Sequence, residues 1–200
     1  MTISFSFLRY EDDVYDRLWS TRNTLFNWVP INTSLVIDTE GSNDSYKPPA
    51  QVLRTAVQPP SGHALIYDIG SRPNNGPSDT YYVCFHFAEI AKLTEGKKRE
   101  FVIVVNGGNY TSEPITLDYL KPLSICPQDE HGPFQGSFSF SINATTGSSL
   151  PPILNAIEYY TVISLPYKPT YAEDGMFLSI HSSSSSLFLF FVFYFLFFIF

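Results

Sequence analysis

The chain has 200 residues, a hydrophobic fraction of 44% and a formal net charge of −7. This length fits one domain with tails, and the apolar content is sufficient for a sizeable core. The acidic balance excludes nucleic-acid binding, because neutralising phosphates needs clustered Lys and Arg. The basic run Lys97-Lys98-Arg99 is expected to be a solvated loop.

In chain order, residues 1–13 lack a signal-peptide pattern, and residues 10–30 are polar and aromatic. Short β-prone runs follow at 31–37, 52–57 and 64–70, separated by Gly-, Pro- and Asn-rich stretches typical of turns. These patterns predict a linker over 1–30 and the first strands of an all-β domain after it.

Two strongly β-prone runs, 81–90 and 99–106, are predicted to be the central strands, because Tyr, Val, Phe and Ile suit a half-buried pleated surface. Asn106-Gly107 predicts a tight hairpin turn, since both residues readily take positive φ.

Three further runs, 114–120, 134–145 and 153–165, also have β character. In the second of them Phe138, Phe140 and Ile142 alternate with serines, as in a half-buried strand. Many short strands joined by turns predict a β-sandwich or jelly roll over residues 31–165.

The C-terminus has a different composition. Residues 166–186 include five consecutive serines and predict a disordered linker, and Leu187–Phe200 is wholly apolar or aromatic. The tail is expected to be helical and separate from the sandwich, although 14 residues rise only about 21 Å against a hydrocarbon core of about 30 Å. Three interpretations stay open: a membrane-associated segment, a lipid-anchor signal, or translated non-coding sequence.

Cys84 and Cys126 are the two cysteines of the chain, and the sequence leaves their pairing open. A small buried thiol is the ordinary expectation for Cys84 inside a strand. Four Asn-x-Ser/Thr sequons point to a secreted or luminal context and are candidate glycosylation sites on exposed loops or strand ends: Asn32, Asn43, Asn109 and Asn143.

Four ordered motifs carry a resemblance to a known family. They are RYEDDVYDRLW (9–19), YKPPAQVLRTAVQP (46–59), YYVCFHFAEI with REFVIVVNG (81–90 and 99–107), and SLPPILNAIEYY (149–160). Together they resemble the malectin-like ectodomains of plant receptor-like kinases. The resemblance covers about three quarters of the chain.

The resemblance implies a malectin-type β-sandwich that corresponds to the C-terminal half of a tandem ectodomain. A signal peptide and a first sandwich would lie upstream, and leucine-rich repeats, a membrane span and a kinase would lie downstream in receptor-kinase members. The chain would then be a non-catalytic module at the cell surface, with a cell-wall glycan or a peptide and co-receptor as partner.

An acidic cluster near the N-terminus is a candidate metal site. Glu11, Asp12, Asp13 and Asp16 could hold Ca²⁺, but Arg17 is placed to pair with Asp13, which favours a solvated turn. We nominate no metal, cofactor or catalytic residue.

On the strand 81–90, Tyr82, Cys84 and His86 face away from Val83, Phe85 and Phe87. The Tyr82 and His86 side could line a ligand face, although a packed and satisfied His is the simpler expectation. His86 and Glu89 do not form the carboxylate pair that glycosidases use.

A sugar site usually needs exposed aromatic rings, for which Tyr67, Tyr110 and Tyr119 are available without a specific assignment. No Ser-His-Asp set is evident in the sequence. The alternatives to a binding module are a structural spacer and, less favoured, a carbohydrate-active enzyme.

Overall fold

The computed structural model describes residues 7–21, 27–62, 64–68, 80–127 and 133–162, together with the backbone of 195–199. Strand accounts for 46% of this part. Its strands are β1 Phe7–Arg9, β2 Leu18–Thr21, β3 Val29–Asn32, β4 Thr55–Gln58, β5 Ala64–Asp68, β6 Thr80–Ala88, β7 Glu100–Val105, β8 Gly108–Asn109, β9 Ile115–Thr116, β10 Pro122–Ile125, β11 Phe134–Gln135, β12 Ser139–Ala144, β13 Ala156–Val162 and β14 Phe195–Ile199. One short helix, α1 Ala50–Leu53, precedes β4.

Two sheets form a sandwich, which confirms the predicted fold class. The larger sheet has the order β1-β2-β14-β13-β6-β10, with β11 also pairing β6, and the smaller has the order β5-β12-β7-β8, with β9 on β7. A separate ribbon joins β3 to β4. The pairs are antiparallel except β14 with β2, which is parallel.

The core lies between the sheets and follows the alternation predicted for the central strands. Val83, Phe85 and Phe87 of β6 are fully buried and face Phe101 and Ile103 of β7 in one apolar cluster. The rings of Phe87 and Phe101 lie 5.0 Å apart. β6 and β7 are central as predicted, although each belongs to a different sheet.

The predicted turn at Asn106-Gly107 is confirmed. Asn106 has φ of 48° and Gly107 has φ of 78°, so both residues are in the left-handed region that a tight hairpin between β7 and β8 requires.

The expectation of a free thiol at Cys84 is wrong, because Cys84 and Cys126 form a disulfide with Cα atoms 4.2 Å apart. β10 pairs β6 with Ile125 opposite Phe85. Cys126, the residue after Ile125, therefore lies beside Cys84. The pairing of β10 with β6 brings the two cysteines together.

The tail departs from its predicted form where it is described. Phe195–Ile199 is strand β14 rather than helix, and it lies between β2 and β13. Its backbone pairs Phe197 with Glu158 on one side and with Trp19 on the other. A strand in this place satisfies the backbone groups of two sheet edges, which an isolated helix would leave open.

The two predicted linkers, 1–30 and 166–186, have different outcomes. β1 and β2, within the predicted linker 1–30, contribute to the larger sheet. The predicted linker 166–186 and residues 187–194 lie outside the described residues. Among the described residues, no helix has the length and apolar character that crossing a membrane requires.

Candidate ligand groove and its buried polar support

A groove of about 640 Å³ opens between the loop 41–46 and the segment 116–127. We call it the groove, and the loop 41–46 its wall. Hydroxyl and carboxylate groups share its lining equally with apolar surface, and the lining consists of Gly41, Ser42, Asn43, Asp44, Ser45, Tyr46, Thr116, Asp118, Lys121, Pro122, Leu123, Ser124, Cys126 and Pro127. Its volume falls within the range of small-ligand sites.

The wall is shaped by its own side chains. Asp38 Oδ1 accepts a hydrogen bond from Gly41 N at 2.9 Å, and Asp44 Oδ1 accepts one from Tyr46 N at 2.9 Å. Short polar side chains that bond the backbone two or three residues onward favour turns over strands. The composition that predicted a loop here also gives the wall a defined conformation.

A chain of polar contacts runs from the wall into the larger sheet. Asp44 Oδ2 lies 2.5 Å from Ser124 Oγ of β10, and Ser124 Oγ lies 2.6 Å from His86 Nδ1 of β6. His86 Nε2 lies 3.3 Å from Glu158 Oε1 of β13. That last contact has an ion-pair distance but not hydrogen-bond alignment, so its attraction is chiefly electrostatic.

The inner end of this chain is a buried ion cluster. Arg17 Nη1 donates to Glu158 Oε1 at 2.5 Å, Arg17 Nε donates to Asp13 at 2.9 Å, and Arg17 Nη2 donates to Lys47 O at 2.8 Å. Trp19 Nε1 donates to Asp13 Oδ2 at 2.8 Å. The cluster thus ties the N-terminal segment to β13 and to the loop that follows the wall.

Two residues of the predicted acidic cluster, Asp13 and Asp16, pair with different arginines. The Arg17 and Asp13 pair is confirmed, but Asp13 is buried rather than solvated, and both its oxygens accept hydrogen bonds. Asp16 pairs with Arg9, whose hydrogen bond lowers the pKa of the Asp16 carboxyl. No group of three or more potential ligands for a metal ion is found among the described residues.

The basic run 97–99 is only in part the solvated loop that the sequence predicts. Arg99 is buried, and its Nε donates to Glu89 Oε2 at 2.7 Å, because the residue begins the strand region that packs against the end of β6. Lys97 and Lys98 are exposed. Glu89 therefore belongs to a different polar network from His86.

Of the aromatic candidates, Tyr67 and Tyr110 lie in the core and cannot stack on a sugar. Tyr67 packs on Phe140 with ring centroids 5.1 Å apart, and Tyr110 donates its hydroxyl to Val83 O at 2.8 Å. Tyr119 is exposed. The groove instead presents the half-buried Tyr46, which the sequence analysis did not single out.

No motif in the sequence points to Ser124. It lies 38 residues beyond His86 and contacts it only because β10 pairs β6 with Ser124 opposite His86. Ser124, His86 and Glu158 are the residue types of a hydrolytic triad. Asp44, however, lies 2.5 Å from the serine hydroxyl and competes with His86 for its proton.

Three candidate glycosylation sites have exposed side chains: Asn32 at the end of β3, Asn43 on the wall and Asn109 at the end of β8. Asn143 is half-buried within β12, between β5 and β7, and donates to Ser141 Oγ at 2.9 Å. Occupancy of the four sites remains a prediction.

The described strands form a two-sheet β-sandwich with a groove beside its disulfide-linked larger sheet. The Malectin-like domain family model matches residues 1–162, and the chain belongs to this family. The match includes β1 and β2 as well as the sandwich strands that follow.

Curated relatives are longer than this chain. Two from Arabidopsis thaliana are named as probable LRR receptor-like serine/threonine-protein kinases. At5g59680 is 38% identical over 175 residues, covering 86% of this chain and 18% of the relative, and At1g51860 is 35% identical over 167 residues, covering 81% and 18%. The chain thus spans about a fifth of these relatives.

Solved structures share the fold. The extracellular domain of Arabidopsis thaliana ANXUR2 superposes with a TM-score of 0.56 at 18% identity, covering 75% of this chain and 44% of that one. The ANX1 ectodomain gives 0.54 at 17% identity, with the same coverage. At this identity the likeness concerns the fold alone.

Proposed function

We propose that the chain is a non-catalytic extracellular binding module that takes a neutral cell-wall oligosaccharide in the groove. The observation that carries this proposal is the groove itself, with its preformed wall and its lining of hydroxyl, carboxylate and phenol groups. Such groups exchange hydrogen bonds with sugar hydroxyls, and a preformed wall reduces the ordering cost of binding.

The charge of the site favours a neutral ligand. Asp44 and Asp118 line the groove against one cation, Lys121, and the whole chain carries a net charge of −7. A polyanionic glycan would be repelled at long range and inside the groove. The proposal therefore selects neutral oligosaccharides over acidic ones.

Several observations support a location at the cell surface. The Cys84–Cys126 disulfide suits an oxidising compartment, and three sequons are exposed. The relatives are named as receptor-like kinases, and the matched region is the malectin-like part. A peptide or co-receptor partner is a second proposal for this chain.

A carbohydrate-active enzyme is the weaker reading of the groove. Asp118 is exposed and pairs with Lys121, and Asp44 is bonded to Ser124 and to its own loop. Neither carboxyl has the apolar, water-poor surroundings that a general acid of a glycosidase needs.

A binding assay tests the proposal. The full chain, produced through a secretory host, would be applied to arrays of neutral and acidic cell-wall oligosaccharides, and the best neutral ligand would be titrated by calorimetry. Replacing Asp118 with Ala should weaken binding about tenfold, because a carboxylate hydrogen bond is lost. Glu113→Ala, an exposed carboxylate outside the groove lining, is the matched control.

Equal weakening of binding by the two variants would show that the ligand does not bind in the groove. Absence of binding to every oligosaccharide would leave the spacer role. Release of reducing sugar that Asp118→Ala abolishes would show an enzyme instead.

A further inference from the structure

The protons of the contact chain can be assigned by counting donors and acceptors. Asp44 and Glu158 are acceptors at the two ends, Ser124 has one proton to donate, and His86 has two ring nitrogens between them. Ser124 can donate to Asp44 only if His86 Nδ1 donates to Ser124. His86 Nε2 attracts Glu158 only if it also carries a proton.

Both conditions hold at once only for the doubly protonated ring. In the Nδ1–H tautomer, a nitrogen lone pair faces the carboxylate of Glu158 at 3.3 Å. In the Nε2–H tautomer, Nδ1 takes the serine proton, which leaves two acceptor oxygens 2.5 Å apart between Ser124 and Asp44. With the carboxylates of Asp44 and Glu158 both ionised, the imidazolium alone gives each contact a donor and an acceptor.

The surrounding charges favour the same state. The carboxylates of Asp13, Asp44 and Glu158 accompany the single guanidinium of Arg17, so a second cation reduces the imbalance of charge. Tyr160 also donates to Glu158. From β2, Trp19 contributes a ring edge 6.2 Å from the ring of His86 and no further charge.

Loss of one proton from His86 would break the polar contact at the exposed end of the series, which is the end at Asp44. The side chain of Glu158 is 0% exposed, whereas Asp44 is half-buried on the wall and can be hydrated. Losing a partner costs more for a buried carboxylate than for an accessible one. The neutral ring should therefore keep its proton toward Glu158 and break the contact between Ser124 and Asp44.

We propose that protonated His86 is a latch that fastens the wall of the groove through Ser124 and Asp44, so that ligand binding in the groove is pH-dependent. The coupling to ligand rests on the proposed function, whereas the latch itself does not. The wall is fastened on the acidic side and released as the pH rises.

Two measurements on the full chain test the latch. Long-range ¹H–¹⁵N spectra of the imidazole groups, assigned with His86→Asn, should show the imidazolium pattern for His86 at about pH 5. Hydrogen-exchange protection of the wall amides, corrected for intrinsic exchange, should fall about tenfold or more toward pH 8, since a charge-assisted contact is lost.

Two variants separate the latch from a general effect of pH. Ser124→Ala should have low wall protection with no change between the two pH limits, while Ser124→Thr, which keeps the hydroxyl, should restore the dependence. A neutral His86 at the acidic limit, or unchanged pH dependence in Ser124→Ala, would overturn the proposal. So would labelling of Ser124 by a fluorophosphonate, because that reaction needs His86 as a base.

Failure of the proposed function has a different signature. If no oligosaccharide binds at any pH while wall protection still depends on Ser124, the latch stands and the glycan ligand is withdrawn. If oligosaccharide binds equally at both limits and the wall does not respond, the groove stands and the latch is withdrawn.

Discussion

At the residue scale, the clearest effect of tertiary structure is on the polar side chains that the sandwich encloses. Arg17, Arg99 and His86 are all buried, and each lies against a carboxylate on another strand or segment. Charges without partners in such places would be strongly destabilising. These residues hold elements together, whereas their exposed counterparts contribute little.

Removing one partner of the buried Arg99 and Glu89 pair should show this difference. Arg99→Met leaves Glu89 buried without a cation and should lower the free energy of unfolding by about 3–5 kcal/mol. Lys121→Met, which breaks the exposed pair with Asp118, should cost less than about 1 kcal/mol. Urea unfolding followed by tryptophan fluorescence measures both, and equal losses would contradict the argument.

Tyr110 should make the domain sensitive to alkali. Burial raises the pKa of its phenol well above the ordinary value of about 10. The folded state thus holds a proton that the unfolded state releases above about pH 10, so stability is complete below that pH and falls as the pH rises further.

Tyr110→Phe tests the effect on both sides of that pH. The variant should lose about 1 kcal/mol at neutral pH, because the hydrogen bond to Val83 O is absent. It should then lose less stability than the parent between neutral pH and about pH 11. Parallel curves of stability against pH would show that Tyr110 does not titrate on unfolding.

At the element scale, β14 decides how the larger sheet is continued. Without β14, β13 and β2 would have no hydrogen-bonded connection in this sheet, since each of them pairs with β14 and not with the other. The sequence predicted a tail whose removal leaves stability unchanged. Its place between two strands predicts a loss instead.

A single proline tests the role of β14 without shortening the chain. Phe197→Pro removes one ladder hydrogen bond from an interior strand and should lower the melting temperature by several degrees. Phe197→Leu retains the backbone N–H and serves as the control. Deleting residues 182–200 should lower the melting temperature at least as much as the proline. Identical melting curves for all four proteins would restore the tail as an independent segment.

At the scale of the whole molecule, the disulfide, the exposed sequons and the net charge act together. The Cys84–Cys126 bridge closes a loop of 42 residues and fixes β10 against β6, which also places Ser124 opposite His86. The net negative charge repels polyanions electrostatically. The disulfide and the exposed sequons suit a domain in an oxidising environment outside the cell.

Glycosylation should follow the exposure of the four sequons. Asn32, Asn43 and Asn109 should carry glycans after secretion, with Asn109 beside the hairpin as the surest site. Asn143 should be modified least, because it lies half-buried between two strands. Glycopeptide mass spectrometry measures the occupancy. Full occupancy of Asn143 would mean that modification precedes formation of β12, and no glycan at all four sites would remove one support for an extracellular location.

The sequence by itself determined the all-β class, the central strands and the hairpin at Asn106-Gly107, because side-chain alternation and turn chemistry are local properties. It also determined the pairing of Arg17 with Asp13, four residues apart. Only the tertiary structure decided the disulfide, the burial of Arg99 and the place of β14, because each depends on which strands become neighbours. The groove and its link to His86 were likewise decided there: Asp44, Ser124 and Glu158 are far apart in the chain, and no local pattern encodes their meeting.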